Sequence, residues 1–114
     1  AVVVVDATEL GAAPGAVRLF RDGQIDRLLS GKRRSVHEVA LADLFAAAAL
    51  RGRSPARRAL IAIQPGCTDW GLQPTPAVAA AIPRACAAVW TLLRKWHAPR
   101  QQPIGRRAAE RKIA

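Results

Sequence analysis

The stretch Ala1-Val2-Val3-Val4-Val5-Asp6 decides the fold. Four consecutive valines make a β-branched, wholly apolar run, which fits a strand buried on both faces in the middle of an α/β sheet. Asp6 follows where that strand leaves the core. Ligands of open α/β sheets bind beyond the carboxyl ends of the strands. The carboxylate therefore stands where sites form. An Asp after a strand can equally turn the chain by bonding backbone N–H groups, and position alone leaves both roles open.

Outward from this strand, Pro14-Gly15 suits the centre of a type II turn. Residues 16–21 read as a second strand in which Val17 and Leu19 alternate with Arg18, leaving one face wet. The connection is too short for a crossover helix, so the two strands are expected to run antiparallel. Asp22-Gly23 ends the second strand, and 24–34 reads as a polar, basic loop with some apolar content. Ser35-Val36-His37-Glu38 has the form of a capping box and predicts a helix to Leu50. Leu41, Leu44, Phe45 and Ala48 form its apolar stripe. Gly52 and Ser54-Pro55 stop it.

A third strand over 59–64 is apolar on both faces, and Pro65-Gly66 turns out of it. A loop over 67–73 carries Asp69, Trp70 and Gly71. Thr75-Pro76 is an N-cap and N1 pair opening the last helix. Pro83 predicts a kink or restart, and Ile82, Ala85, Val89, Leu92 or Leu93, and Trp96 its inward stripe. Past His97 periodicity is lost and arginines accumulate, which predicts a disordered basic tail over 98–114 after a domain over 1–97.

The order strand, strand, helix, strand, helix gives an α/β class. It supplies too few neighbours for strands that look buried on both faces. The chain also contains no methionine and opens inside a strand. Both features lead us to expect further elements upstream, making the domain incomplete at its amino terminus. The opening lacks a basic n-region and does not read as a secretory signal. No apolar run is expected to span a membrane.

The 114 residues carry a formal charge of +10, which raises nucleic acid as a partner. The charge is scattered, however, and the few aromatics do not alternate with it as a stacking platform does. Solvated arginine-rich surface is the better reading. Cys67 and Cys86 lack metal-type spacing and fit reduced thiols.

His37 is the second candidate site residue. At the second position of its helix the dipole favours a neutral imidazole, which can bind a divalent metal. If the third strand lies parallel to the first, Asp6 and His37 could meet at the carboxyl end of the sheet. Two ligands fall short of the three or more that metal sites use. A triad of Ser35, His37 and Asp6 would break the cap, and Cys67 with His37 is no better supported. Phosphate-loop and nucleophile-elbow motifs are absent from the sequence.

Three stretches together resemble the [NiFe]-hydrogenase maturation proteases. They are VVVVDATELGAAPGAVRLF, SVHEVALADLFAAAALRGRSP and ALIAIQPGCTDWGLQPTPAVAAAIPRA, within residues 1–96. Gln64-Pro65, Asp69-Trp70-Gly71 and Thr75-Pro76 resemble the branch serving NAD-reducing, bidirectional hydrogenases. The resemblance implies a three-layer α/β/α sandwich, phosphorylase/hydrolase-like, with a mixed, mostly parallel sheet. It implies a cytoplasmic aspartic-type endopeptidase that removes the carboxyl-terminal extension of the hydrogenase large subunit once that subunit holds nickel. By position, Asp6 matches the family's metal-binding Asp and His37 its His. The family's Glu lies in an upstream motif without counterpart here, and Glu9 and Glu38 are not in the matching place. The implied cofactor is the nickel of the substrate, and the implied partner is the large-subunit precursor. A homologue that docks on this subunit without cutting it, or a basic nucleic-acid-binding module, are the alternatives.

Overall fold

The computed structural model describes residues 1–31 and 36–99; of Val36 and His37 it describes the backbone alone. Three strands, β1 (Val2–Ala7), β2 (Val17–Arg21) and β3 (Arg58–Ile63), form one sheet in the order β1-β3-β2. β3 pairs parallel with β1 (Val4 opposite Leu60, Asp6 opposite Ala62) and antiparallel with β2. β1 and β2 thus run in opposite directions, as expected, with β3 inserted between them.

The central strand is β3, where every residue from Ala59 to Ile63 is buried. Among the described strands β1 has a neighbour on one side only, and Val5 remains 49 % exposed. The valine run reports apolar cover above and below the sheet, and such cover says nothing of pairing at the sides. With one parallel and one antiparallel pairing the sheet is mixed.

Alternation along β3 divides the core in two. Ala59, Ile61 and Ile63 face α3 (Pro76–His97) and meet Ala81, Ala85 and Leu92. Leu60 and Ala62 face the other way, toward Ile25 and Leu29 of α1 (Gly23–Leu29) and Leu41, Ala42 and Phe45 of α2 (Val36–Leu50). This is a three-layer α/β/α arrangement.

Several details differ from the expectations. The first part of the 24–34 loop is helical, because Ile25, Leu28 and Leu29 lie at i, i+3 and i+4 and form an inward stripe. Asp22 starts this turn at φ 45°. Its backbone N–H donates to the Arg58 carbonyl at 3.1 Å, and its Oδ1 accepts the Arg58 N–H at 3.1 Å. These bonds hold a conformation that a non-glycine residue rarely adopts.

In α2, Ala42 replaces Leu44 in the packed stripe, and Leu44 is 68 % exposed. The helix rests on one short helix and a sheet rim, so its contact face is narrower than the sequence stripe. It ends as expected at Gly52 (φ 66°) in a Schellman arrangement, with Arg53 N–H on the Ala48 carbonyl and Gly52 N–H on that of Ala49. The capping-box residue Ser35 lies outside the described residues.

α3 is continuous through Pro83 instead of restarting there. Its inward face runs through Val78, Ala81 and Ala85, leaving Ile82 at 45 % exposure. By length and composition alone α3 could also cross a membrane, which corrects the expectation that no run is long enough. Its Ala81, Ala85 and Leu92 are packed on β3, as in the core helix of an α/β domain. The tail over 100–114 lies outside the described residues.

Candidate active site

Asp6 occupies the next-to-last position of β1. Val4, two residues earlier, packs in the cluster of Leu60, Ala62, Ile25 and Leu29. Side chains alternate along a strand, so Asp6 projects from the same side of the sheet, the side that carries α1 and α2. The Asp6 Oδ1 accepts the N–H of Ala7 at 2.9 Å. One carboxylate oxygen therefore makes the local turn contact anticipated for such an Asp, and the group is half-buried.

The segment after Asp6 is held chiefly by the Gln64 side chain. The Thr8 N–H donates to the Ile63 carbonyl at 3.0 Å, and the chain then leaves the sheet. Gln64, first beyond β3 and 4 % exposed, reaches across to it. Its Oε1 accepts the Leu10 N–H at 2.7 Å and the Ala12 N–H at 3.4 Å. Its Nε2 donates to Glu9 Oε2 at 3.0 Å and to the Pro65 carbonyl at 3.3 Å. The Gln64 backbone takes part too, with Gly15 N–H donating to its carbonyl and its own N–H donating to that of Ala16, both at 2.9 Å.

Gly15, at φ 84°, sits so close to α3 that a Cβ would lie 2.5 Å from the Ala77 carbonyl oxygen. Its own carbonyl accepts Arg84 Nη2 at 2.7 Å. In the sequence Gln64 stands out only through its motif, and Arg84 carries no signal of this contact. An apolar strand that ends on a buried amide was the available signal.

Ala7 also lines a cavity of about 270 Å³ with Pro65, Cys67, Asp69, Trp70, Thr75 and Val78. Thr75 is the N-cap of α3, but its hydroxyl makes no capping bond and is buried without a hydrogen-bond partner in the structure. Cys67 and Cys86 are both free and exposed.

A larger cavity, about 510 Å³, lies between α1, α2 and the start of β3. That is the amino edge of β3, away from Asp6. Its charges are mutually satisfied: Arg58 Nη1 and Nη2 each stand 3.0 Å from an oxygen of Asp26, and the guanidinium lies 5.2 Å from the Phe45 ring centre. The Arg58 hydrogen bonds hold the Asp26 carboxyl below the usual carboxylate range.

His37 is the second residue of α2 in the chain trace, and its side chain lies outside the described residues. Among the described residues no three His, Cys, Asp or Glu side chains gather as a metal-binding group. Asp6 supplies an anionic oxygen donor of a kind that suits a borderline divalent ion in company with nitrogen donors.

An α/β/α layer order with a carboxylate at the carboxyl end of a strand defines an open-sheet α/β domain whose ligand position lies at that end. Comparison with known proteins narrows it: residues 1–92 match the family described as HycI, hydrogenase maturation protease, and the chain belongs to that family. It is 36 % identical over 97 residues to the hydrogenase expression/formation protein HupD of Rhodobacter capsulatus, covering 84 % of this chain and 46 % of that one. The corresponding HupD of Bradyrhizobium diazoefficiens is 34 % identical over 95 residues, covering 82 % and 50 %. The chain thus spans about half the length of the curated relatives it matches.

Among solved structures, the hydrogenase maturating endopeptidase HybD from E. coli superposes with a TM-score of 0.70 at 29 % identity, over 83 % of this chain and 59 % of that one. The solution structure of an endopeptidase from Escherichia coli does so with 0.77 at 28 % identity and the same coverage. These names fix the family and the fold; they do not specify which hydrogenase a member serves.

Proposed function

We propose that this chain acts in [NiFe]-hydrogenase maturation as an endopeptidase on the large-subunit precursor, removing its carboxyl-terminal extension after nickel has entered. Membership of the protease family over residues 1–92 is the observation that carries this reading. The location of Asp6 supports it, at the strand end on the α2 side of the sheet.

Asp6 would offer nickel a hard anionic oxygen and His37 a borderline nitrogen, a pair this metal accepts. Nickel here belongs to the substrate, and it serves as both checkpoint and anchor. A carboxylate beside a metal-held peptide can also orient a water for attack, which is the sense in which the enzyme would be of aspartic type. The expected compartment is the cytoplasm. Docking without cleavage is the second reading, favoured by the count of two donors where three are usual.

The test is a chimera in which residues 1–99 replace the matching part of Rhodobacter capsulatus HupD. It is expressed in a strain that lacks its own HupD, and the gel mobility of the large subunit is read. Cleavage is expected for the chimera, loss of cleavage for Asp6→Ala and for His37→Ala, and near-normal cleavage for Ser35→Ala. Cleavage that survives both Asp6→Ala and His37→Ala would remove these residues from the site. A chimera that retains the precursor in a complex but leaves its length unchanged would favour docking alone.

A further inference from the structure

Charge is segregated along the strand axis. β3 starts at Arg58, and the elements around it bring further cations to that end. Arg21 lies opposite Ala59 in the register of β2. Arg51 and Arg53 follow α2, in the link whose Ser54 and Pro55 line one cavity with Arg58. Arg57 Nη1 donates to the Trp96 carbonyl at 2.8 Å, which fixes the last turn of α3, with Arg94 and Lys95, at the same end. The acids there, Asp22 and Asp26, are both engaged by Arg58. Arg51, Arg53, Arg94 and Lys95 are exposed and make no ion pair among the described residues. At the opposite end stand Asp6, Glu9 and Asp69, and Arg18, opposite Ala62, is the one cation that the described strands add there. The sequence past α3 joins at the basic end and adds five Lys and Arg against Glu110.

We propose that the basic end of the sheet docks on an anionic phospholipid surface, with the Asp6 end turned outward. Charge complementarity selects the partner: each Lys or Arg within a Debye length of an anionic leaflet is attracted by about 1 kcal/mol, and clusters of about four to eight bind such surfaces. The cations come from the ends of β2, α2, β3 and α3, so they spread across all three layers of the domain. A broad face of this kind matches a leaflet better than it matches the linear phosphate track of a nucleic acid. Leu50 separates the two polyanions. It is 90 % exposed beside Arg51. An apolar side chain among arginines adds nothing on a phosphate backbone, whereas it enters the boundary between headgroups and acyl chains of a bilayer. Trp90, one turn before Arg94, suits the same interfacial level. The acids at the far end are repelled by the same surface, which sets the orientation and leaves Asp6 facing solvent.

The experiment is co-sedimentation of the 114-residue chain with vesicles, either of equal parts phosphatidylglycerol and phosphatidylcholine or of phosphatidylcholine alone. Binding is expected to the anionic vesicles only, and to weaken as salt rises from about 0.1 to about 0.5 M. Arg51→Ala and Arg53→Ala should each weaken it about fivefold, and Leu50→Ser about threefold. Arg18→Ala removes the same charge at the acidic end and should leave binding within about twofold. Arg51, Arg53 and Leu50 are exposed, so their variants should keep the wild-type melting curve. Absence of binding to the anionic vesicles, equal binding to both kinds, or equal weakening by Arg18→Ala and Arg51→Ala would overturn the proposal. Duplex DNA that strips the chain from the vesicles, with an affinity that Leu50→Ser leaves unchanged, would assign the face to nucleic acid and overturn it as well.

Discussion

Replacing Gln64 separates an anchoring role from simple core filling. The side chain is 4 % exposed and spends its amide on both sides of the 8–15 connection. In Gln64→Ala the Leu10 N–H loses a 2.7 Å acceptor in a half-buried setting, worth about 1 kcal/mol. Glu9 loses a charge-assisted donor at 3.0 Å. Glu9 is exposed and recovers hydration, so we assign this loss about 1 kcal/mol as well. The bonds at 3.3 and 3.4 Å are marginal and add little. The sum, about 2 kcal/mol, lowers the melting temperature of a domain this size by about 8–16 °C.

Gln64→Glu sharpens the test, because it keeps the acceptor for Leu10 and turns the donor into an oxygen facing Glu9 Oε2. Two carboxylates at that distance favour protonation of one. The variant should therefore regain stability on acidification from pH 7 to 5, whereas Gln64→Ala should not. Thermal melts followed by circular dichroism give the stabilities, and hydrogen exchange at the Leu10 amide gives the local effect. A Gln64→Ala variant within 0.5 kcal/mol of wild type, with Leu10 still protected, would refute the anchoring argument.

Gly15→Ala should destabilise by about 2–4 kcal/mol, since left-handed strain adds to a backbone collision with Ala77; urea unfolding reads it, and a loss under 1 kcal/mol would contradict the close approach. The Asp26 carboxyl titrates below its unfolded value because Arg58 hydrogen-bonds its charged form. The contribution of this pair is therefore complete above about pH 4 and declines as pH falls through the lowered folded value. Asp26→Asn should flatten the acid limb of the stability curve by no more than about 1 kcal/mol, because Asp26 is largely exposed. Ile61→Ala, at the centre of β3, should cost about 3 kcal/mol in urea unfolding, and under 1 kcal/mol would mean that the core re-forms around the gap.

Local pattern was enough to read β3, where apolar residues run without interruption, and the stop of α2 at Gly52, where a left-handed residue is required. It also marked Thr75-Pro76 as the start of α3, although the Thr75 hydroxyl makes no capping bond. Strand order was not legible. A valine run signals covered faces, and its pairing with β3, more than fifty residues further along, is not written in either stretch alone. α1 escaped notice because seven residues carry one turn of periodicity, diluted by Asp26 and Arg27. Of the candidate site, Asp6 was legible from its place after the valines. The hold of Gln64 and Arg84 on the neighbouring segment was not, because both act across more than fifty residues of sequence.

The sheet order carries a consequence for the birth of the protein on the ribosome. Among the described strands β1 and β2 do not pair with each other; each pairs with β3. β1 is synthesised roughly 55 residues before its partner, and Glu9 and Leu10 precede Gln64 by as much. At about 5–20 residues per second the valine strand is made some 3–11 seconds before β3, the strand it pairs with along Val2–Ala7. Such a segment pairs readily with copies of itself. The pairing of the Asp6 strand with β3 therefore forms only after the third strand emerges, and until then that side of the valine strand is open to pairing with another chain.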